Sequence, residues 1–382
     1  MLNKKPIIAN EFENKKASVT VKMILDFCWV DYIKTHIVRD VESSEVQKAL
    51  DCYGHKNGCF VYCCADCGQW VFQSLGCNCR ICSCCGKRYA DSWAVALSKR
   101  MFKVPHRHIV LSVASELWPY LKDNWPLLKV YQDSAIDALN QYLPSVMGND
   151  IECGVIVILH TFGKDMQFKP HLHLIITEGG FNSRNEFIPR VYLHAPAFAE
   201  VWKYHVCKNL SKNGVPFSLT NWCFHNKRFY VWVHKDGRIS HPKVIARYLG
   251  RYVRHPVIAN SRIDFFDKEK LLVGFHYVDN QKRRHDIVMS ADDFISALIK
   301  HIPSKQFKVI RYYGAYARRS RQKFKKHLQS SIEQTKLTAF GVKAPKKILK
   351  CPYCNGKLVF VIYIKKPPPE IPKIQQELTQ FN

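Results

Sequence analysis

No stretch of the sequence is apolar for long enough to cross a membrane, which takes about 18 consecutive apolar residues. The N-terminal stretch MLNKKPIIANEFENKK also lacks the apolar core of a secretory signal. These absences argue against a membrane-spanning or exported protein. They predict a cytoplasmic protein. The sequence also contains no internal repeat that would indicate a solenoid.

Acidic residues are scarce, with 31 Asp and Glu against 58 Lys and Arg in 382 residues and a net charge of +27. A surface this positive repels itself, and a polyanion is its usual partner. A membrane surface is the rival partner. Because 47% of the residues are hydrophobic, the chain can bury a core and is not a disordered one. We therefore expect a folded protein that binds nucleic acid.

Cysteine is abundant but unevenly placed, since ten of the 16 cysteines lie between Cys52 and Cys85. In a long cytoplasmic chain such a cluster indicates metal binding rather than disulfides. Two Cys-x-x-Cys pairs, Cys64/Cys67 and Cys82/Cys85, have 14 residues between them, a spacing typical of a four-cysteine structural zinc site. We predict that these four cysteines bind one Zn²⁺; the alternative is a set of reduced, buried cysteines.

The other cysteines leave several arrangements open. A second ion, with His55 as a further ligand, is possible for the rest of the cluster, namely Cys52, Cys59, Cys63, Cys77, Cys79 and Cys84. The C-terminal pair Cys351/Cys354 is half of a site. It could combine with the remaining cysteines or with a second subunit, or it could be inert.

Hydrophobic periodicity predicts an α+β protein, because short apolar strands alternate with helices and hairpins. Strands are expected at 108–114, 154–163 and 171–177, and helices at 91–104 and 243–254. The composition divides the chain into four parts: a helical segment (1–50), a Cys-rich zinc-binding domain (51–95), a main domain (96–326) and a C-terminal tail with a Cys-x-x-Cys knuckle (327–382).

Two histidines share one face of the strand at 171–177. His171 and His173 are two residues apart, so they point to one side, whereas Leu172 and Leu174 point to the other. Two such imidazoles can bind one cation, and a hairpin could bring His160 from the preceding strand beside them. The alternative is a pair of ordinary hydrogen-bonded histidines on a half-exposed strand.

Two tyrosines lie one helical turn apart in ARYLGRYVR, at Tyr248 and Tyr252. The same stretch carries a row of cations: Arg247, Arg251 and Arg254. Tyrosines at core positions of an amphipathic helix are the ordinary interpretation. The chemical interpretation is that a tyrosine hydroxyl attacks a phosphodiester polarised by a cation, while arginines hold the flanking phosphates.

A basic and aromatic stretch, RYYGAYARRSRQKFKK at 311–326, is the candidate DNA-binding segment. Its cations can neutralise phosphates and its tyrosines can stack on unpaired bases. A solvated basic helix is the alternative. The residues concerned are Arg311, Tyr312, Tyr313, Tyr316, Arg318, Arg319 and Arg321.

These motifs occur in a characteristic order: the Cys-rich module, HTFG before PHLHLIITEGG, YLGRYVRHPVIANSRI, and DDFISALIKHIPSKQFKVIRYYG. From about residue 50 to 320 the sequence resembles the rolling-circle insertion-sequence transposases of the two-tyrosine HUH class, the insertion sequence 91 family. The family's first strand often contains a Phe-Thr-Leu-Pro block, whereas this chain has Val-Leu-Ser-Val at 110–113.

The resemblance implies an HUH-endonuclease fold, a ferredoxin-like antiparallel sheet with helices, preceded by a helical and zinc-ribbon-like N-terminal module. It implies that Tyr248 and Tyr252 are the nucleophiles and that His171 and His173, with His160 as a third ligand, bind a divalent cation. That cation is Mg or Mn in the family, although imidazole ligands suit Zn or Mn better than Mg. The four predicted zinc cysteines match the family's N-terminal module.

The implied activity is DNA transposition in which single-stranded transposon ends are nicked and rejoined through a 5′-phosphotyrosine intermediate. The implied partners are single-stranded DNA, transposon-end hairpins and the host replication machinery, in the bacterial cytoplasm at the nucleoid. One alternative is a plasmid rolling-circle replication initiator or relaxase with the same chemistry. The other is a non-enzymatic, zinc-dependent nucleic-acid-binding protein.

Overall fold

A computed structural model describes residues 19–54, 57–77, 79–148, 150–189, 193–233, 256–320, 323–324 and 349–365. In these ranges the helices are α1 (Val21–Thr35), α2 (Asp40–Leu50), α3 (Ser83–Ser98), α4 (Trp118–Leu121), α5 (Trp125–Met147), α6 (Ala195–Lys212), α7 (Phe217–Asn226) and α8 (Ala291–Ile299). The strands are β1 (Cys59–Cys64), β2 (Trp70–Ser74), β3 (His106–Ser112), β4 (Gly154–Phe162), β5 (Phe168–Thr177), β6 (Gly179–Phe181), β7 (Phe187–Pro189), β8 (Val231–Val233), β9 (Ile263–Asp267), β10 (Leu272–Val278), β11 (Arg284–Ser290), β12 (Ile310–Gly314) and β13 (Leu358–Ile364).

A five-stranded sheet in the order β12-β4-β5-β3-β8 is the centre of the molecule, and every neighbouring pair in it is antiparallel. Its strands are short runs of β-branched and other apolar residues, such as GVIVIL in β4, which favour a sheet buried on both faces. Strand β5 is therefore central, with β4 on one side and β3 on the other.

The two faces of this sheet pack differently. Val157, Leu172 and Leu174 point to one face and are fully buried in a core formed with α5 and α6. On the other face, Ile158 and Ile175 pack on a smaller cluster that contains Phe102 and Tyr316. Since side chains alternate between faces along a strand, the histidines of β5 lie on this second face.

The N-terminal helices pack on a separate three-stranded antiparallel sheet, in the order β11-β10-β9, and on α8. Helix α1 is capped by Thr20, whose hydroxyl accepts a hydrogen bond from the backbone N–H of Met23 at 3.2 Å. The Tyr32 hydroxyl lies 2.7 Å from that of Ser296, which joins α1 to α8.

A second small sheet, in the order β13-β1-β2, joins a strand near residue 360 to the Cys-rich part of the chain. Strand β13 pairs antiparallel with β1, with Leu358 opposite Cys64 and Ile364 opposite Cys59. These C-terminal residues are part of a predicted tail (327–382), whereas β13 lies inside a sheet of the Cys-rich part of the chain.

The α+β class is confirmed, with antiparallel sheets and helices and with a cysteine cluster near the N-terminus. The helix predicted at 91–104 spans Ser83–Ser98 instead, so it ends earlier than predicted and its first turn contains Cys85 of the second cysteine pair. The helix predicted at 243–254 lies outside the described residues. In the described part of the chain, no helix has the length and apolar character of a membrane span.

Candidate metal centre and nucleic-acid interface

The β4–β5 hairpin brings three imidazoles together on one face of the central sheet. His160 on β4 lies directly opposite His171 on β5, and His173 follows two residues later on the same side. The ring centroids are 5.2 Å apart for His160 and His171, 4.7 Å for His160 and His173, and 5.0 Å for His171 and His173. One nitrogen from each ring lies within 4.8 Å of the other two.

The register of β5 is fixed by burial. Leu172 and Leu174 alternate with the histidines and are fully buried on the opposite face of the sheet. A slip of one residue would put both imidazoles into the apolar core and both leucines on the histidine face, so the packed register is strongly favoured. A tight turn closes the hairpin, in which the Gly163 N–H donates to the Gln167 carbonyl at 3.0 Å.

Hydrogen bonding and burial keep His171 and His173 in the neutral form that binds metals. The Nδ1 of His171 lies 2.8 Å from the Lys169 carbonyl; because a carbonyl only accepts, Nδ1 carries the proton and Nε2 keeps its lone pair. Burial lowers the pKa of His171. Burial and then the neighbouring imidazoles hold the pKa of His173 well below its usual range. Neutral imidazole is the ligand form, so the set fits a divalent cation.

A fourth histidine, missed by the sequence analysis, contacts the cluster from β3. The Nε2 of His108 lies 2.9 Å from the Nδ1 of His173, and His108 is buried. If the Nε2 of His173 is the ligand atom, its Nδ1 carries the proton and donates to His108, which fixes the orientation of the ring. Part of the signal was present in the sequence: His108 begins the strand predicted at 108–114, and His106 lies two residues before it, the same spacing as His171 and His173.

A fifth histidine, His301, makes hydrogen bonds to the β4–β5 hairpin next to His160. Its Nε2 lies 3.0 Å from the Met166 carbonyl, so this nitrogen donates, and its Nδ1 accepts from the Thr161 hydroxyl at 3.0 Å. Burial lowers the pKa of His301 to about 4, which keeps it neutral near neutral pH. His301 belongs to the motif DDFISALIKHIPSKQFKVIRYYG, in which no role was predicted for it.

The predicted nucleophiles belong to a part of the chain that the structure does not describe. Tyr248 and Tyr252 lie outside the described residues. The same holds for four of the predicted DNA-binding arginines, Arg247, Arg251, Arg254 and Arg321.

The basic segment divides into buried and exposed residues. Arg311 donates to an Asp133 carboxylate oxygen at 2.8 Å, and the Tyr313 hydroxyl donates to the same oxygen at 3.0 Å. Tyr316 is buried and lies 2.5 Å from the Nε2 of His106. The expectation that Tyr316 stacks on bases is therefore wrong, because its ring fills the core beneath the sheet. In the part of this segment that the structure describes, the exposed residues are Tyr312, Arg318, Arg319 and Lys323.

A groove of about 520 Å³ lies along edge strand β12 and the exposed part of this segment. Its cationic lining comes from separate elements and consists of Arg100, Lys308, Arg311 and Arg318. Tyr312 also lines it and is 37% exposed, so an aromatic face is available beside the cations. Tyr312 lies on the same face of the sheet as His173, because Tyr312 pairs with Ile156 of β4 and Ile158 pairs with His173.

The cysteines form two groups rather than the single predicted one. The Cys82/Cys85 pair lies with Cys52 and Cys77, and the Sγ of Cys52 is 3.5 Å from that of Cys82 and 3.6 Å from that of Cys85. The other predicted pair joins the C-terminal knuckle. That second group consists of Cys64, Cys67, Cys351 and Cys354.

The structure therefore corrects the prediction that Cys64, Cys67, Cys82 and Cys85 share one ion. The physical reason is the strand pairing, which holds the end of β1 against the start of β13 and away from the start of α3. Spacing along the chain could not reveal this arrangement, because each knuckle has the same internal geometry whichever partner it takes.

Two family models match the chain: one described as "Transposase zinc-binding domain" matches residues 24–113, and one described as "Putative transposase" matches residues 154–323. A transposase for insertion sequence element IS801 from Pseudomonas savastanoi pv. phaseolicola is 28% identical over 309 residues, covering 76% of this chain and 74% of the relative. "Putative transposase y4qJ" of Sinorhizobium fredii is 22% identical over 368 residues, covering 86% and 92%. No solved structure matches the chain.

The fold, the cysteine cluster and the two matched models define the class: a transposase with an N-terminal zinc-binding domain. Within that class, the chain belongs to the insertion sequence 91 family of transposases. The resemblance seen in the sequence motifs is thereby confirmed.

Proposed function

We propose that this transposase cleaves and rejoins single-stranded DNA at transposon ends through a tyrosine–DNA intermediate, in rolling-circle transposition. The observation that carries the proposal is the cluster of His160, His171 and His173 on one face of the central sheet. Neutral imidazoles within reach of one another suit a divalent cation, and DNA cleavage by a tyrosine benefits from one at the scissile phosphate.

The chain's own residues would act in three ways. His160, His171 and His173 would hold Mg²⁺ or Mn²⁺, and His108 would orient His173. When bound, the cation supplies a Lewis acid for a non-bridging oxygen of the phosphate. Tyr248 or Tyr252 would then supply the nucleophilic oxygen.

The proposed cleavage is a single transesterification, in which one bond to phosphorus forms and one breaks. The phenol of Tyr248 or Tyr252 loses its proton, and its oxygen forms a bond to the scissile phosphorus. The bond from phosphorus to the 3′ oxygen breaks, and that oxygen takes up a proton and leaves as a 3′ hydroxyl. The 5′ end stays on the tyrosine as a phosphodiester, so a 3′ hydroxyl can later reverse the step without ATP. The free 3′ hydroxyl is a primer that host polymerase can extend.

The groove along β12 is the proposed path of the DNA strand next to this centre. Its cations can neutralise phosphates, and Tyr312 can stack on an unpaired base. Half-buried Tyr313 and Arg311 would shape the groove, since Asp133 holds both. Binding here would be weakly dependent on base sequence, so hairpins at the transposon ends would have to be recognised by other parts of the chain.

A covalent-adduct assay tests the proposal. The full-length protein is incubated with single-stranded terminal DNA and Mn²⁺, and adducts are separated under denaturing conditions. We expect an adduct with the wild type and none with Tyr248→Phe plus Tyr252→Phe. Tyr204→Phe is the matched control, because Tyr204 is exposed on α6, on the opposite side of the sheet.

Three outcomes would count against parts of the proposal. An adduct that survives the double Tyr→Phe change would refute the nucleophiles. DNA binding by the wild type without any adduct would favour a non-enzymatic binding protein. Specific nicking of a plasmid origin, with no action on terminal hairpins, would favour a replication initiator or relaxase.

A further inference from the structure

We propose that Cys64, Cys67, Cys351 and Cys354 bind a second structural Zn²⁺, which fastens the C-terminal segment 349–365 to the zinc-binding domain. The matched zinc-binding domain ends at residue 113, so two of these ligands lie far outside it. The site is independent of the proposed DNA-cleavage chemistry, because none of its residues belongs to the histidine cluster.

The sulfur positions fit a tetrahedral ion. The Sγ atoms of Cys64 and Cys354 are 3.5 Å apart, and those of Cys67 and Cys351 are 3.6 Å apart. All four sulfurs lie within 4.8 Å of one another. Thiolates at about 2.3 Å from a tetrahedral Zn²⁺ are separated by about 3.8 Å. Disulfide bonds would require about 2.05 Å, which these pairs do not approach.

Each half of the site is a cysteine knuckle with the same backbone turn. The residue after the second cysteine is left-handed in both, with φ of 68° at Gly68 and 62° at Asn355. In the first knuckle, the Gly68 N–H donates to the Cys64 carbonyl at 3.0 Å. In the second, the Asn355 N–H donates to the Cys351 carbonyl at 2.9 Å. Glycine and asparagine are the residues that tolerate this conformation.

Strand pairing and a direct contact bring the knuckles face to face. Leu358, at the start of β13, lies opposite Cys64 at the end of β1, and the Ala65 N–H donates to the Lys357 carbonyl at 3.1 Å. A Cβ at Gly356 would lie 2.0 Å from an Asp66 carboxylate oxygen. A larger residue at this position would therefore require the Asp66 side chain to move.

The small apolar core of this sheet also supports a bound metal ion rather than four free thiols. Cys64 and Cys351 are buried beside Tyr62 and Val71, whereas Cys67 and Cys354 are exposed. The strands that carry the knuckles bury little apolar area, since β13 exposes about half of each of four successive side chains: Val359, Phe360, Val361 and Ile362. A small sheet of this kind gains stability from a structural zinc ion.

Zinc content is the first test. We expect the purified full-length protein to hold about two Zn²⁺ per chain, one in each cysteine group. Cys351→Ser plus Cys354→Ser should lower this by about one ion. Cys63→Ser is the matched control: Cys63 neighbours Cys64 in β1 but lies outside both groups, so zinc content should stay at the wild-type value. An unchanged zinc content in the double variant would overturn the proposal.

Alkylation of the wild-type protein is the second test, and it does not depend on a variant that folds. Exposed Cys67 and Cys354 should resist a maleimide while zinc is bound, and both should become reactive when a chelator removes it. Cys63, which is half-buried, serves as the internal reference. Rapid labelling of Cys67 and Cys354 before chelation would overturn the site. Protection that only a reductant removes would do so too, because it would indicate disulfides.

Discussion

His108 is the residue that most directly supports the candidate metal centre without belonging to it. Its Nε2 lies 2.9 Å from the Nδ1 of His173, inside the sheet. Partners of this kind fix the orientation of a metal-binding imidazole and typically change metal affinity about 10- to 100-fold when removed. We predict that His108→Ala weakens Mn²⁺ binding to the full-length, zinc-loaded protein by a factor in this range, measured by titration calorimetry.

Two controls separate orientation from general damage to the core. His108→Gln keeps an oxygen that can accept from His173 and should recover much of the affinity. His225→Ala changes an exposed histidine on α7 and should leave affinity unaltered. Equal affinities for His108→Ala and the wild type would show that His108 does not position His173.

His106 is a buried histidine that makes stability depend on pH. Burial lowers its pKa to about 4, and its Nε2 lies 2.5 Å from the Tyr316 hydroxyl. The unfolded chain has a histidine pKa of about 6.5, so it binds more protons than the folded protein between about pH 4 and 6.5. Stability is therefore complete above that window and falls with decreasing pH, by up to about 1.4 kcal/mol per pH unit for this group.

We predict a shallower fall for His106→Gln, which keeps hydrogen-bonding atoms near Tyr316 but does not titrate. Denaturant unfolding at a series of pH values across the window measures the slope. His225→Gln, at an exposed position, should keep the wild-type slope. A wild-type slope in His106→Gln would mean that other groups account for the acid sensitivity, His301 among them.

Strand β12 ends at a glycine that the packing of the edge requires. Gly314 has φ of 54°, and a Cβ there would lie 1.9 Å from the carbonyl oxygen of Cys153, the residue just before the neighbouring strand β4. Gly214 has φ of 101° with open space around it. A non-glycine residue in such conformations costs about 1 to 3 kcal/mol by backbone strain alone.

We predict that Gly314→Ala destabilises the protein by more than Gly214→Ala, because only the first variant adds a clash with backbone to the strain. Denaturant midpoints of the two variants and the wild type give the comparison. If Gly314→Ala cost no more than Gly214→Ala, the edge of the sheet would have to relax easily, and the shape of the groove beside it would not depend on this turn.

The elements show where sequence patterns are sufficient and where they are not. The β4–β5 hairpin could be predicted, because strict alternation of histidine and leucine allows one register. The group that contains Cys64 and Cys351 could not be predicted. It depends on the pairing of β13 with β1, and these two strands are far apart in the sequence. Tyr316 was misjudged for a related reason: a tyrosine among arginines is typical of a surface, and only the fold shows that it fills the core.

The whole molecule carries a net charge of +27, so binding to DNA should depend strongly on salt. For single strands, each phosphate contact contributes about 0.7 to the slope of log affinity against log salt concentration. We predict that Arg318→Ala plus Arg319→Ala lowers affinity for single-stranded DNA regardless of its sequence, and makes this slope shallower by about 0.7 for each lost contact.

The control for that prediction removes the same number of positive charges from a different part of the surface. Lys208→Ala plus Lys212→Ala removes two exposed cations from α6, which packs on the face of the sheet opposite the histidines. If DNA follows the groove along β12, this control should retain nearly the wild-type slope. If both double variants lose affinity and slope equally, the general field of the protein binds DNA, and the groove has no special part in it. Fluorescence anisotropy at several salt concentrations distinguishes the two results.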